Sequence, residues 1–180
     1  MGKQLYKLSP PLIRFIETQR LFFVATAMDE GKINLSPKGL DTFKVLNENK
    51  ALWLNLTGSG NETAVHLKED GRITIMFCSF EGKPLILRLY GRAKTHHRAT
   101  EFWNKHISLF PKIAGGRQLI EVEIDLVQTS CGMGVPLYDY RQQRHELVSW
   151  AEKKGDNGLE KYWAERNSKS IDGFDSGILD

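Results

Sequence analysis

Hydrophobic and polar residues alternate with a period of two in several short segments of the chain. The clearest alternation sets apolar side chains against acidic ones, in the order Ile120, Glu121, Val122, Glu123, Ile124, Asp125 and Leu126. Successive side chains of a strand point to opposite faces of a sheet, so this pattern predicts a strand with one buried and one solvated face. Five other short segments are apolar or alternating and are also predicted as strands, at 21–28, 33–36, 51–56, 72–77 and 85–90.

Two helices are predicted between these strands. Residues 61–69 form a short one, and residues 98–110 place apolar side chains on one stripe at helical spacing. Pro37 is expected to end the pairing of its strand, because proline has no N–H to donate. Short antiparallel strands with few helices are typical of a barrel. The pattern therefore predicts a mainly β fold built as an antiparallel β-barrel of six strands.

The character of the chain changes after Pro136, where charged residues become frequent. Amphipathic helices are predicted at 138–154 and 157–167, and the second opens on a capping box of Asn157 and Glu160. Residues beyond Ser168 are expected to fray. The tail is too small to fold alone, so we divide the chain into a barrel domain at 1–136 and a helical C-terminal extension at 137–180.

Composition excludes several classes of protein. Of the 180 residues, 41% are hydrophobic and 26% charged, and the net charge of +3 is too small to indicate a nucleic-acid or membrane partner. The two cysteines, Cys78 and Cys131, form neither a disulfide framework nor a metal knuckle, and the histidines are scattered, so no metal site is expected. No signal peptide or membrane-spanning run stands out, so the expected location is the cytoplasm.

A row of polar side chains ends the second predicted strand. Residues two apart in an extended segment share a face, so Asn34 and Ser36 lie together and Lys38 continues the row past Leu35 and Pro37. An anionic ligand along this face would explain a cation and two hydrogen-bonding groups there. The alternative is a face turned to water, with Lys38 in a solvated turn.

The turn between the third strand and the first helix is a second candidate. Its glycines allow close approach of the backbone to a ligand, and the helix N-terminus attracts a phosphate. Its candidate ligand-binding residues are Thr57, Gly58, Ser59, Gly60, Asn61 and Thr63. The alternative is a capping box of Ser59 and Glu62, which would satisfy the helix N–H groups without a ligand.

Arg88 and Arg92 are a third candidate, because both lie on the face of the fifth strand opposite its leucines. They would bind a phosphate or a partner subunit, or remain solvated. No His-Glu-x-x-His cluster and no Gly-x-Ser-x-Gly elbow occurs, so neither a metalloprotease nor a serine hydrolase is indicated.

Together these segments resemble the pyridoxamine 5′-phosphate oxidase-related FMN-binding proteins. The resemblance rests on five motifs that occur in order: FFVATA at 22–27, NLSPKG at 34–39, LNLTGSGNETA at 54–64, RITIMFC at 72–78 and LYGRA at 89–93. The TSCGMGVP stretch at 129–136 and the helical tail are similar to one subgroup. The resemblance covers the chain from about Leu21 to Leu126.

The resemblance implies a six-stranded split β-barrel of the FMN-binding type and a homodimer with FMN in a groove between the subunits. It places the strand of Asn34, Ser36 and Lys38 beside the flavin and the turn after Leu56 near the phosphate. The tail is then expected to pack on the barrel or on the dimer partner. The implied activity is that of an FMN-dependent oxidoreductase acting on a small molecule by hydride transfer, without an identified catalytic residue.

Two alternatives remain open, a deazaflavin-dependent split-barrel reductase and a non-catalytic flavin-binding module. The chain also departs from the vitamin-B6 oxidases, which carry an Arg-Lys pair where Glu62 and Thr63 stand here. Their C-terminal Arg-x-His signature is also missing. These departures argue against pyridoxamine phosphate as the substrate and leave the FMN phosphate without its usual cations.

Overall fold

A computed structural model describes residues 2–179 and leaves Met1 and Asp180, the ends of the two predicted units, outside. Its elements are β1 (Lys3–Leu5), α1 (Pro10–Thr18), β2 (Phe22–Thr26), β3 (Asn34–Lys38), β4 (Phe43–Asn47), β5 (Lys50–Leu56), α2 (Glu62–Glu69), β6 (Arg72–Cys78), β7 (Ile86–His97), α3 (Glu101–His106), a 3-10 turn (Ile107–Leu109), β8 (Gly116–Ser130) and α4 (Glu146–Arg166). The mainly β fold with a helical tail is confirmed.

The eight strands join one antiparallel sheet in the order β3-β2-β6-β7-β8-β5-β4, and β1 pairs with β8. The 15-residue β8 is paired along both edges over most of its length: β7 follows one edge from Gln118 to Ser130, whereas β5 and β1 share the other. Two of the eight strands were not predicted. β1 has three residues and β4 has five, too few to establish a periodicity.

The interior of the barrel is filled by the apolar faces of the strands. Four aromatic rings pack at its centre with centroids 5.2 to 6.2 Å apart, namely Phe22, Phe43, Trp53 and Phe77. All four are at most 9% exposed. Burying a side chain of this size contributes roughly 1.5–3 kcal/mol, so this cluster fixes how β2, β4, β5 and β6 face one another.

Pro37 does not end its strand, so that prediction was wrong. Pairing continues through Phe23 opposite Pro37 to Phe22 opposite Lys38. The reason is that β3 is an edge strand, where a residue without an N–H is tolerated. As a result the side chains of Asn34, Ser36 and Lys38 alternate regularly with those on the outer face.

The predicted helix at 98–110 begins later than expected. β7 runs on to His97, and α3 starts only after Thr100, whose hydroxyl accepts the N–H of Trp103 at 3.3 Å. Side chain and backbone thus form an N-cap that the apolar stripe did not reveal.

The C-terminal extension follows its prediction in part. Residues 138–145 are not helical, because tertiary hydrogen bonds hold them, such as that from the Tyr138 N–H to the Phe80 carbonyl. A break at Gly155, whose φ is 64°, divides α4 into two helical segments, at the place where the sequence predicted one helix to end and the next to begin. None of the helices in residues 2–179 is long and apolar enough to cross a membrane.

The segment after Ser168 is folded rather than frayed. The backbones of Lys169 and Asp175 form an isolated antiparallel β-bridge, and Ser170 and Ser176 are buried. Polar anchors hold this segment, and they follow no period that a sequence pattern could display. We call residues 168–179 the C-terminal strap.

Gly91 is expected to be essential to the barrel, since a Cβ there would overlap the backbone carbonyl of Glu123 on β8. Gly91→Ala should destabilise the protein by about 3 kcal/mol or more, because a backbone atom cannot move aside as a flexible side chain would. Gly134→Ala is the control, for its Cβ meets nothing within 4 Å. Urea unfolding of both variants checks this, and equal midpoints would contradict it.

Candidate functional site

A cavity of about 470 Å³ opens between β3, the end of β5, the turn that follows it, the start of β8 and the first turn of α4. Eight of the predicted site residues line it, namely Asn34, Ser36, Lys38, Thr57, Gly58, Ser59, Gly60 and Thr63. Two segments distant in sequence, the polar row of β3 and the glycine turn, therefore meet at one place. Cavities of this size commonly hold small ligands.

Four predicted site residues do not line the cavity. Leu35 projects from the other face of β3 and is 66% exposed, and Asn61 is buried at the N-cap of α2. Arg88 donates to the Ser130 hydroxyl at 3.2 Å, and Arg92 donates to the Asp70 carbonyl. Their roles in cofactor binding stay predictions, and the positions of these four residues within one subunit do not support those roles.

Lys38 is a partly buried cation with no ion pair among the described residues. Its ammonium lies 5.2 Å from the centre of the Trp53 ring, a cation–π contact. Burial, with a smaller contribution from the positive charge of Arg117, lowers the pKa of Lys38 to about 8. A partly buried ammonium that contacts an aromatic ring but no carboxylate favours an anionic ligand.

Arg117 is a second cation in the cavity, and the sequence analysis missed it. Its side chain is 4% exposed, and burial lowers its pKa to about 10. The pairing of β5 with β8 shifts by one residue between Asn55 opposite Gln118 and Leu56 opposite Gly116. Arg117 is the extra residue of this β-bulge, and bulges redirect side chains.

The guanidinium of Arg117 has one hydrogen-bond partner among residues 2–179, the neutral amide oxygen of Asn167 at 2.6 Å. Its buried Nε has none. A charged residue just ahead of the strongest alternating strand was the available signal, but nothing in the sequence located the bulge or the distant Asn167.

The end of α4 holds the glycine turn in place. The indole N–H of Trp163 donates to the Thr57 hydroxyl at 2.8 Å, and that hydroxyl donates to the Gly115 carbonyl at 2.7 Å. Asn167 also donates to the Gly58 carbonyl at 3.0 Å. The tail therefore ties the turn to the start of β8.

The predicted capping box of Ser59 and Glu62 is absent. Asn61 is the N-cap of α2 and makes no side-chain cap. The Glu62 carboxylate instead accepts the N–H of Ile171 in the C-terminal strap, at 3.1 Å to both oxygens. The alternative that the turn satisfies itself through this box is therefore wrong.

Asn34 is oriented by a buried polar network. Its amide nitrogen donates to the hydroxyls of Thr26 at 3.2 Å and Thr63 at 3.1 Å, and Thr26 bonds the Nδ1 of His66 at 3.0 Å. Both amide hydrogens are used, so Asn34 has its carbonyl oxygen left as an acceptor for a ligand N–H. The row thus combines an acceptor, a hydroxyl and a cation.

The cavity fits a ligand that carries an anionic group. Lys38, Arg117 and Glu62 together leave one net positive charge, and Arg117 has an unused buried donor. At Gly58 a Cβ would find only the Gly60 carbonyl within 4 Å, at 3.9 Å, so a ligand can approach the backbone closely. Within residues 2–179 no group of His, Cys, Asp and Glu is arranged to hold a metal ion.

Comparison with known proteins gives one consistent result. The profile of pyridoxamine 5′-phosphate oxidase matches residues 10–131. The pyridoxamine 5′-phosphate oxidase family protein ustO of Aspergillus flavus is 38% identical over 174 residues, which cover 87% of this chain and 70% of that protein.

Two crystal structures share the fold. HupZ of Group A Streptococcus, an H-to-A variant in that crystal, has a TM-score of 0.56 at 16% identity and covers 68% of this chain and 98% of its own. A Lactobacillus delbrueckii protein provisionally named a pyridoxamine 5′-phosphate oxidase has a TM-score of 0.54 at 17% identity, covering 68% and 94%. At such identities the likeness concerns the fold alone.

The lowered pKa of Lys38 predicts how stability depends on pH. Because the folded pKa lies near 8 and the unfolded one near 10.5, the charged lysine destabilises the ligand-free fold below pH 8, and the cost disappears as the pH rises to 10.5. Lys38→Met should therefore stabilise the ligand-free protein at pH 7 by on the order of 1–2 kcal/mol, after loss of the cation–π contact.

Urea unfolding at pH 7 and pH 10 measures this difference, which should shrink at the higher pH. Lys105→Met, at an exposed position of α3, is the control and should change neither value. A stabilisation by Lys38→Met that is the same at both pH values would show that its charge is not the cause.

Proposed function

The chain belongs to the pyridoxamine 5′-phosphate oxidase family, and we propose that it is an FMN-dependent oxidoreductase that transfers hydride to or from a small molecule. The observation that carries the proposal is one cavity that gathers the β3 row, which ends on the partly buried Lys38, the glycine turn and the buried cation Arg117. An uncharged ligand would leave both cations without an anionic partner, whereas the phosphate and the ring of FMN supply acceptors for them.

The roles of the residues follow from their chemistry. FMN, when bound, supplies the redox chemistry, accepting or releasing hydride on its ring. Asn34 offers a carbonyl acceptor, and Lys38 offers a cation to the anionic part of the ligand. The glycine turn offers backbone that a phosphate can approach closely, and the Trp53 indole forms an apolar wall beneath the ammonium.

The substrate is proposed to differ from pyridoxamine phosphate. Glu62, where the vitamin-B6 oxidases carry a cation, is a carboxylate and lines the cavity. Leu147 of α4 also lines it, so the helical tail contributes to the wall that a substrate meets. A small molecule with an apolar surface suits that wall better than a second phosphate ester does.

The visible spectrum of the purified protein tests the proposal. We expect flavin bands at about 370 and 450 nm, and bleaching of the longer-wavelength band when NADH or NADPH is added in the absence of oxygen and of an oxidising substrate. Lys38→Ala should bind FMN about 10- to 150-fold more weakly, since it removes a charge-assisted hydrogen bond, and Lys38→Glu should bind it more weakly still, since it adds repulsion.

Lys105→Glu introduces the same charge change on an exposed surface and should retain wild-type affinity. A protein that binds no flavin from an FMN titration would refute the proposal. A protein that binds FMN but transfers no electrons would be a flavin-binding module instead.

We also propose that the protein is a homodimer. Leu35 on β3 and Ile33 beside it are 66% and 76% exposed, and they project from an edge strand that borders the cavity. Two large exposed apolar side chains at the rim of a ligand site suit a subunit interface. Arg88 and Arg92, which do not line the cavity of their own chain, would then be available to the partner.

Sedimentation velocity should find a dimer at micromolar concentration, with an interface above about 2,000 Å² as in obligate dimers. Leu35→Glu should shift the protein toward monomer, because it introduces charge at the edge strand. Leu109→Glu, a matched change at an exposed site of the 3-10 turn, is the control. A wild-type monomer that still holds flavin would overturn this proposal.

A further inference from the structure

The C-terminal tail contributes a residue, Asn167, that binds two residues of the cavity wall, Arg117 and Gly58. Asn167 is fully buried although it lies 50 residues from Arg117 and 109 from Gly58, the two residues that its side chain bonds. Its amide oxygen accepts from the guanidinium and its amide nitrogen donates to the turn. One side chain therefore fixes both the cation and the backbone of the proposed phosphate site.

The choice of an amide matters for the charge of Arg117. A carboxylate in that position would neutralise the guanidinium, whereas an amide orients it and leaves its full positive charge. The bond uses Nη1 only. Nε is buried and has no partner in the described part of the chain, so the guanidinium keeps hydrogen-bond capacity beyond its bond to Asn167, and charge-assisted hydrogen bonds from a guanidinium suit a phosphate.

The strap beyond Asn167 engages the Glu62 carboxylate, which lines the cavity. Ile171 donates its N–H to Glu62, and Ser176 donates its hydroxyl to the Asn167 carbonyl at 2.6 Å. Two ion pairs hold the strap to the barrel, Lys32 with Asp172 at 2.6 Å and Lys68 with Asp175 at 3.3 Å. The tail thereby binds Glu62 and the amide that orients Arg117 in one arrangement.

We propose that Arg117, oriented by Asn167, is the phosphate anchor that makes this cavity select FMN over riboflavin. The inference rests on the proposed function, because it assumes that a flavin occupies the cavity. Arg117 takes the part of the cationic pair that is missing at Glu62 and Thr63. Riboflavin carries the same ring and ribityl chain without the phosphate, so the two ligands differ only in the group that Arg117 would hold.

The experiment titrates flavin-free protein with FMN and with riboflavin and compares the two dissociation constants. The wild type should prefer FMN by at least about tenfold, since one charge-assisted hydrogen bond is worth about 10- to 150-fold. Arg117→Gln should remove most of this preference and leave riboflavin affinity unchanged. Arg117→Lys should keep part of it, because it retains the charge and loses the fork.

Asn167→Asp tests the positioning role separately. It preserves the size of the side chain and its acceptor toward Arg117, adds a negative charge and removes the donor to the Gly58 carbonyl; the added charge should lower FMN affinity toward that of riboflavin. A merely structural role would lower both affinities together. Arg14→Gln, which removes the same charge from an exposed position of α1, should leave the preference intact.

The possible results are distinct. If the wild type binds neither flavin, the proposed function fails. If it binds both equally, or if Arg117→Gln and Asn167→Asp keep the FMN preference, the flavin cofactor stands and the assignment of Arg117 is overturned. An Arg117 that holds a phosphate of the substrate, and not that of FMN, would give this same result and would overturn the assignment. Should Arg117→Gln fail to fold, the wild-type ratio and Asn167→Asp decide.

Discussion

A β-bulge at the start of β8 is the constraint on which the candidate site depends. The register of β8 against β5 shifts by one residue at the start of β8, ahead of Gln118 where its pairing with β7 begins, so one residue of β8 there has no partner on β5. That residue is Arg117. In a regular ladder the residues at this point would continue the alternation of β8, and each side chain would point either into the packed barrel or toward water. The bulge instead places a guanidinium at the cavity, and the tail is arranged around it.

A buried cation is costly unless something compensates it, and this cavity contains two. The carboxylate that interacts electrostatically with Arg117 is Glu62, and Glu62 already accepts the N–H of Ile171 in the C-terminal strap. Lys38 has the Trp53 ring. Such a site is unfavourable without a ligand and favourable with an anionic one, so ligand binding and folding are coupled: whatever anion binds the native state stabilises it by mass action. The lowered pKa values of both cations have the same cause, the free-energy cost of burying a positive charge.

Much of the fold could be predicted because its signals are local. Alternating or continuous apolar residues predicted six strands. The same pattern predicted which face of a strand is buried, as for Leu87 and Leu89, which are fully buried. β1 and β4 escaped because they are too short for a period. The first turns of the helix predicted from 138 are absent because its residues were judged by their amphipathic pattern, whereas hydrogen bonds to Phe80 and Glu81 hold that segment in an irregular course.

The site divides in the same way. Asn34, Ser36 and Lys38 could be predicted because a strand places alternate residues on one face, and the turn from Thr57 to Gly60 because glycines next to a helix start are a local signal. Arg117 could not be predicted, since a bulge depends on the register between two strands. Asn167 could not be predicted either, because its partners lie 50 and 109 residues away. Contacts of that range have no periodicity.

The departure from the family pattern at Glu62 and Thr63 then has a physical explanation. Thr63 accepts a hydrogen bond from Asn34 and is buried, so a lysine or arginine there would lose that bond and would need space that α2 does not offer. Glu62 holds the strap through Ile171. Both positions therefore serve contacts within the chain, and a cation at either would compete with them. A cation supplied from β8 on the other side of the turn avoids this conflict, but it needs a partner that orients it without cancelling its charge. An amide meets that requirement, and a tail that crosses the turn can deliver one. The helical extension is thus part of the same solution as the bulge, because neither Arg117 nor the tail would produce an organised anion site without the other.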